Sequence, residues 1–202
     1  MVKETISSEE KILEAAKTVF HRKGFEGARM QEIADEAGIN KALLHYYFRT
    51  KQNLFDAVFK AAFREIFTKI FTTVDADIPL EEKLTNLVNE YITFLQKNSY
   101  IPGFILAEMN QNPQKIIDIF KSALVSPSML FERMRTAVQA EQLDKTDFRE
   151  LFINLLSLCI FPIVARPMLQ SILEFSNEEY DQFIEKRKKD LPVFIMNAIT
   201  KK

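Results

Sequence analysis

The sequence contains few of the residues on which turn-rich, disulfide-linked or metal-dependent proteins rely. Its 202 residues include 4 glycines and 7 prolines, too few for the many turns of an all-β protein. A single cysteine excludes an internal disulfide framework and is typical of a reducing compartment. A metal site needs several ligands close together, and the available ones, His21, His45 and Cys159, are widely separated. We therefore expect no metal and no cofactor.

The distribution of apolar residues along the sequence predicts neither a secretion signal nor a membrane-spanning helix. The first four residues do not begin an apolar signal segment, which leads us to expect a cytoplasmic protein. The most apolar run, residues 151–165, is shorter than the ~20 residues of a membrane helix and includes Asn154 and Pro162. A buried core or interface helix is the better interpretation. The net charge of −1 indicates no overall attraction to nucleic acid, so that argument has to be local.

Abundant Leu, Ala, Glu, Lys and Ile favour helices, and the first helix has clear start and stop signals. Ser7 precedes Glu10 by three residues, the spacing of a capping box. An apolar stripe at helical spacing follows, and Gly24 predicts the end of the helix because glycine tolerates the left-handed conformation. Phe25 is then placed to fold back onto Phe20.

Two shorter helices are predicted next, with a glycine turn between them. The second helix runs from about residue 30 to 37, starts at the poor cap residue Arg29 and stops at Gly38. Asn40 is a good N-cap for a third helix that reaches about Phe48.

The third helix has an inward stripe at Leu44 and Phe48, whereas Ala42 and Tyr46 point nearly opposite. No acidic residue occurs between Ala37 and Phe55, although Lys41, Arg49 and Lys51 do. A short helix, a glycine turn and a second helix with a basic, acid-free face is the helix-turn-helix arrangement of DNA-binding proteins.

The residues of this region resemble the TetR family of regulators. The resemblance rests on Gly24-Phe25, on the run Ile-Ala-Asp-Glu-Ala-Gly-Ile at 33–39, and on Leu-His-Tyr-Tyr-Phe-Arg-Thr-Lys-Gln-Asn-Leu at 44–54. It covers roughly residues 7–67. It implies a homodimer that places two recognition helices in successive major grooves of double-stranded DNA, at an operator with dyad symmetry.

The resemblance also implies which side chains meet DNA. Lys51 lies where the family places a phosphate-contacting lysine, and Lys41 can reach a phosphate or a guanine edge. Ala42 and Leu43 occupy positions that approach base edges, where Leu43 can touch a thymine methyl. A plain solvated or helix-surface role is the alternative for each of these residues.

The remaining candidates flank that group. His45, where the family more often has tyrosine, can donate to phosphate oxygens, as can the two tyrosines after it. Arg29 replaces the Ser or Thr common at the start of the second helix, which loses a cap but adds a cation. The predicted DNA-binding residues are Arg29, Gln31, Asn40, Lys41, Ala42, Leu43, His45, Tyr46, Tyr47 and Lys51.

The rest of the chain also reads as helices. We predict them at about 52–74, 80–98, 105–109, 114–125, 127–142, 147–165 and 177–199. By resemblance, the last two form the dimer interface. A cavity for a small hydrophobic or aromatic inducer is implied inside each subunit, although such side chains are more often plain core. Its candidate lining residues are Phe104, Met109, Phe120, Met129, Met134, Phe152 and Cys159.

The sequence thus predicts an all-α protein with a helix-turn-helix DNA-binding domain over 7–67 (the helix-turn-helix itself at about 30–49) and a helical regulatory, ligand-binding and dimerisation domain over 68–202. An enzyme is disfavoured, since no phosphate loop, metal constellation or nucleophile motif is present. A helical adaptor that binds protein through the same surface stays open. Salt-dependent DNA binding would separate it from a regulator.

Overall fold

The computed structural model describes residues 7–123, 127–140 and 147–200, and every regular element in those ranges is a helix. The helices are α1 (Ser8–Gly27), α2 (Met30–Glu36), α3 (Lys41–Tyr47), α4 (Lys51–Asp75), α5 (Leu80–Lys97), α6 (Tyr100–Gln111), α7 (Pro113–Ala123), α8 (Pro127–Ala140), α9 (Phe148–Val164), α10 (Arg166–Leu173) and α11 (Asn177–Thr200). The all-α prediction is confirmed. Val125 and Gln142, the predicted ends of two helices, lie outside the described residues.

Two parts of the helix prediction were wrong. α6 is not confined to residues 105–109 but begins at Tyr100. Pro102 lies in its first turn, where a backbone N–H has no acceptor within the helix, so proline is tolerated there. The sequence also predicted no element between 165 and 177, where α10 forms. Its Pro167 is again near a helix start, where the ring suits the backbone and does not break it.

The first compact unit contains the described residues up to Arg64 together with Asn98–Ala123. Its core is aromatic. The ring of Phe55 in α4 lies 4.9 Å from that of Phe20 in α1 and 4.1 Å from that of Phe104 in α6. This unit includes α6 and α7 in addition to the predicted DNA-binding segment. The predicted domain boundary between residues 67 and 68 stays a prediction.

The second compact unit contains Glu65–Lys97 and the described residues from position 127 onward. Its central helix is α5, which packs against both α9 and α11. α5 contributes a buried apolar stripe at helical spacing: Leu80, Leu84, Leu87, Val88, Ile92 and Leu95. The matching buried side chains of α11 are Tyr180, Ile184, Leu191 and Ile195.

Pro162 shapes the way α9 and α11 pack. Proline has no N–H, so the carbonyl of Leu158, four residues earlier, has no intrahelical donor. The Arg187 guanidinium of α11 donates to that carbonyl oxygen through Nε at 3.2 Å and a terminal nitrogen at 2.9 Å. The Tyr180 hydroxyl donates at 2.6 Å to the carbonyl of Pro162 itself, near the end of α9. Two side chains of α11 therefore satisfy carbonyls that the proline and the helix end leave unpaired.

Among the described residues, no single helix is long and apolar enough to cross a membrane. α9 and α10 reach the required length and composition only when taken together, across a bend of 74°.

Candidate nucleic-acid interface

The start of α1 follows the sequence pattern, whereas Gly24, the predicted end, interrupts a helix that runs on to Gly27. Ser7 Oγ accepts from the N–H of Glu10, and the Glu10 carboxylate accepts from the N–H of Ser7, so the predicted capping box is formed. Gly24 has φ 68°, a left-handed value that interrupts the helical path. The rings of Phe20 and Phe25 then stack 6.2 Å apart, as expected from the reversal of the chain.

The turn between α2 and α3 is a Schellman motif. Gly38 has φ 65°. Its N–H donates to the carbonyl of Asp35 at 3.1 Å, and the N–H of Ile39 donates to the carbonyl of Ala34 at 3.0 Å. Asn40 then caps α3, because its side-chain oxygen accepts from the N–H of Leu43 at 2.8 Å. These bonds fix the direction in which α3 leaves α2.

α3 has one buried face and one exposed face, as predicted. Leu44 is fully buried and Phe48 nearly so. The opposite face carries Lys41, Ala42, His45, Tyr46 and Tyr47, all exposed, with Leu43 half-buried beside them. Tyr46 keeps 80% of its surface accessible. A large aromatic side chain left this exposed on a basic helix indicates a surface that meets a partner.

Two of the three acidic side chains of α2, Glu32 and Glu36, are paired with cations of α1. Lys23 Nζ lies 2.6 Å from a Glu32 carboxylate oxygen, and Arg22 lies 3.4 Å from Glu36. The ammonium of Lys23, by donating to Glu32, lowers the pKa of that carboxyl below its usual value. Part of the negative charge of α2 is thereby compensated within the unit.

The two candidates on α2 are only partly free. Arg29 is exposed and its side chain makes no cap bond, which agrees with the expected loss of a cap. Glu32 compensates in part by accepting from the backbone N–H of Arg29 at 3.4 Å. The Gln31 amide donates at 2.8 Å to Asp35, so a DNA contact by Gln31 requires that bond to be shared or broken.

The His45 side chain is hydrogen-bonded to the backbone just beyond the end of α3. Its Nδ1 lies 3.2 Å from the carbonyl oxygen of Arg49. A carbonyl only accepts, so Nδ1 carries the hydrogen. In the neutral ring, Nε2 is then an acceptor, and donation from Nε2 to a phosphate oxygen requires the imidazolium form. The expected donor role of His45 therefore depends on its protonation.

Lys51 has partners that the sequence did not predict. Its ammonium donates to the carbonyl oxygens of Phe25 at 2.8 Å, Glu26 at 3.2 Å and Ala28 at 3.2 Å. It also lies 4.6 Å from the centre of the Phe25 ring. The side chain is half-buried. The last turn of α1 contains no basic residue of its own.

The seven predicted inducer-contacting residues fall in both compact units. Phe104 and Phe120 belong to the aromatic core of the first unit, where Phe120 lies 4.9 Å from Phe63. Met109 and Met129 are exposed, at 52% and 44%. Cys159 is buried in the second unit, where desolvation raises the pKa of its thiol to about 12. An inert, protonated thiol is expected there.

Met134 and Phe152 do line a common cavity, within the second unit. It measures about 30 Å³, the space of roughly one water molecule. Its other walls are apolar side chains of α5, α8 and α9 and the end of α4, apart from Lys83, which donates to the carbonyl of Val74 at 2.8 Å. An inducer would therefore have to enlarge this cavity.

The second unit also exposes large apolar side chains on its last three helices. These are Ile153, Phe161 and Val164 on α9, Met168, Ile172 and Leu173 on α10, and Val193 and Phe194 on α11. A group of this kind is typical of an interface and not of a surface in water. The buried stripe of α11 is already used against α5, so only the opposite side of that helix is available to a partner.

The segment that contains this site is similar to known bacterial regulatory proteins. Residues 12–58 match the family model of bacterial regulatory proteins of the tetR family. The chain is 25% identical over 130 residues to YttP, a probable HTH-type transcriptional regulator of Bacillus subtilis (strain 168), covering 63% of this chain and 62% of YttP. That alignment thus spans less than two thirds of the relative.

Solved structures extend the likeness over nearly the whole chain. The fatty acid degradation regulator FadR of Bacillus halodurans matches with a TM-score of 0.72 at 19% identity, over 99% of this chain and 100% of that one. FadR of Bacillus subtilis, solved in complex with stearoyl-CoA, matches with a TM-score of 0.65 at 16% identity, over 92% and 96%. At these identities the comparison establishes a common fold.

Proposed function

We propose that this chain, whose residues 12–58 match the tetR family of bacterial regulatory proteins, is a ligand-responsive repressor of transcription and not an enzyme. In the proposal, a homodimer binds a pseudo-palindromic operator through two copies of α3. A small hydrophobic ligand relieves repression. The chain acts in the cytoplasm, where its DNA is.

The observation that carries this proposal is the exposed, acid-free face of α3. Leu44 and Phe48 anchor the helix from behind, so the opposite face is free to enter a major groove. Lys41, Ala42 and Leu43 lie at the N-terminal end of α3, the end that contacts base edges in helix-turn-helix proteins. We assign backbone contacts to the residues around them: Arg29, Gln31, Asn40, His45, Tyr46 and Tyr47.

The homodimer is supported by the exposed apolar side chains on α9, α10 and α11. A second copy related by a two-fold axis would present the same patch, and self-complementary contact would cover both patches. This agrees with the predicted interface over 147–165 and 177–199 and adds α10 to it. Two half-sites would then lie about one helical turn apart, roughly 34–36 Å.

Two observations support the proposal of an effector. The cavity of the second unit is apolar and includes two of the predicted residues, Met134 and Phe152. FadR of Bacillus subtilis, which shares the fold, has been solved with stearoyl-CoA. We propose a hydrophobic effector, aromatic or acyl, that expands this cavity and changes the spacing of the two recognition helices. If a saturating ligand left operator affinity unchanged, that ligand would not be the effector.

The test is selection of DNA sequences from a random pool by the purified full chain, repeated from low to physiological salt. Enrichment of a pseudo-palindrome, with affinity that falls as salt rises, is the expected result. No enrichment and no salt-dependent retention of DNA at low salt would contradict the proposal. That outcome would favour an adaptor that uses the exposed tyrosines of α3 to bind protein.

A further inference from the structure

The ammonium of Lys51 is fully used inside the protein. A lysine has three N–H donors and no acceptor. Here three backbone oxygens accept from it, those of Phe25, Glu26 and Ala28, at 2.8 to 3.2 Å. We call this group of one ammonium and three carbonyls the Lys51 clasp.

The carbonyls of the clasp need such a donor. Phe25 and Glu26 lie in the last turn of α1, beyond the interruption at Gly24, and Ala28 is the extended residue that follows the helix. Carbonyls at a helix C-terminus lack intrahelical partners and carry partial negative charge, which a cation stabilises. The last turn of α1 contains no basic residue, and Lys51, from the first turn of α4, supplies the charge.

An aromatic ring also packs against the ammonium of the clasp. The Phe25 ring lies 4.6 Å below the ammonium, and the same ring meets the edge of Phe55 at 5.0 Å. Phe55 is fully buried and lies four residues after Lys51, on the same side of α4. Releasing the ammonium would cost three charge-assisted hydrogen bonds and a cation–π contact together.

What the clasp joins is the helix-turn-helix itself. The motif runs from Met30, at the start of α2, to Tyr47, at the end of α3. Ala28 lies two residues before it and Lys51 four residues after it. One side chain therefore ties the two ends of the recognition motif together.

We propose that Lys51 is a positioning residue that closes the helix-turn-helix and makes no contact with DNA phosphate. This replaces the role that family resemblance implied for it. It follows that Lys51 supports DNA binding by holding the direction of α3, while Lys41 supplies charge to the phosphates. The part of this inference that concerns DNA affinity rests on the proposed function, whereas the clasp itself does not.

The first test compares Lys51→Met with the control Lys41→Met, a cation of exposed α3 outside the clasp. For each protein, the operator affinity is measured against salt and the melting temperature is recorded. We expect Lys51→Met to melt about 5 °C lower and to bind roughly tenfold more weakly, with the salt dependence of the parent protein. Lys41→Met should keep the melting temperature and lose about 0.9 of the log–log salt slope per subunit.

A shallower salt slope in Lys51→Met would overturn the inference, because it would mean that a phosphate contact had been lost. An unchanged melting temperature would overturn it too, since the clasp would then stabilise nothing. If the parent protein bound no DNA, the proposed function would fail. The melting temperature of Lys51→Met and the second test would still show whether the clasp exists.

The second test follows the Lys51 side chain directly. In the parent protein with 15N-labelled lysine, we expect the Lys51 ammonium signal to exchange slowly with water and to keep its chemical shift when operator DNA is added. Lys51→Arg should not restore the melting temperature, because a planar guanidinium cannot point donors at three carbonyls around one nitrogen. A rapidly exchanging ammonium in the free protein, a shift on adding DNA, or an arginine variant equal to the parent protein in stability and salt slope would each contradict the clasp.

Discussion

Charged side chains around α3 divide into those held within the protein and those left in solvent. Lys23 and Arg22 bind the carboxylates of Glu32 and Glu36, two of the three carboxylates of α2. Lys51 is bound to backbone carbonyls. Lys41 is exposed on α3, where a phosphate could approach. Counting cations along the sequence therefore overstates how many are available to DNA.

We expect Lys41 and Leu43 of α3 to contribute to DNA binding in different ways, Lys41 through its charge and Leu43 through contact with a base. Loss of the Lys41 charge is expected to weaken binding to every sequence to a similar degree. Leu43→Ala should instead leave the salt slope unchanged and relax the preference at one base pair per half-site, at a cost of about 1–3 kcal/mol on the preferred base. Sequence selection with each variant measures this. Equal, sequence-independent losses from both changes would contradict the assigned roles.

Backbone requirements at single residues determine how neighbouring helices are placed. Gly38 provides the left-handed residue that the turn between α2 and α3 requires, and Pro162 removes one hydrogen bond from α9 that α11 then replaces. In both places a local backbone requirement determines how the next helix is placed. Each makes a separate prediction.

Gly38→Ala should destabilise the protein by about 1–2 kcal/mol, because an alanine at φ 65° is strained even though no atom lies within 4 Å of its added Cβ. Gly103→Ala is the matched control. Gly103 is helical in α6 and also has open space around its Cβ, so alanine there should stabilise by up to about 1 kcal/mol. Urea denaturation of both variants tests the contrast, and losses of similar size would refute the explanation.

Arg187→Met should cost about 2 kcal/mol, because it leaves the Leu158 carbonyl without a donor. Pro162→Ala returns a backbone N–H to that carbonyl. In the Pro162→Ala background, the loss from Arg187→Met should therefore be smaller. A double-mutant cycle measured by denaturation would show this coupling, and strict additivity would show that the arginine acts elsewhere.

The whole molecule is expected to depend on a second copy, because several large apolar side chains of α9, α10 and α11 are exposed. Exposure of these apolar side chains to water is unfavourable in free energy, and a self-complementary interface between two copies would bury them. The operator would in turn require two recognition helices. Association and DNA affinity are thus predicted to fail together.

Phe194→Glu places a charge on a side chain of α11 that is 62% exposed, and we expect it to shift the dimer to monomers and to weaken operator binding by at least tenfold. Ile117→Glu, on a side chain of α7 that is 45% exposed, is the control and should keep the dimer. Sedimentation equilibrium measures the association. A Phe194→Glu protein that stays dimeric would move the interface away from this patch.

The sequence by itself determined the elements whose signals are local. The capping box at Ser7, the positive-φ glycines at positions 24 and 38, and the cap at Asn40 all depend on residues within a few positions of one another. The two faces of α3 follow from helical periodicity in the same way. For this reason α1 to α3 and the exposed recognition face could be predicted.

Only the tertiary structure decided the features that depend on distant residues. The partners of Lys51 lie 23 to 26 positions away, and Arg187 lies 29 positions from the carbonyl it binds. Nothing in the local pattern distinguishes such a lysine from a solvated one. The division of the phenylalanines and methionines between core, cavity wall and surface was likewise not predictable, because apolar residues of the same type occupy all three places and only packing separates them.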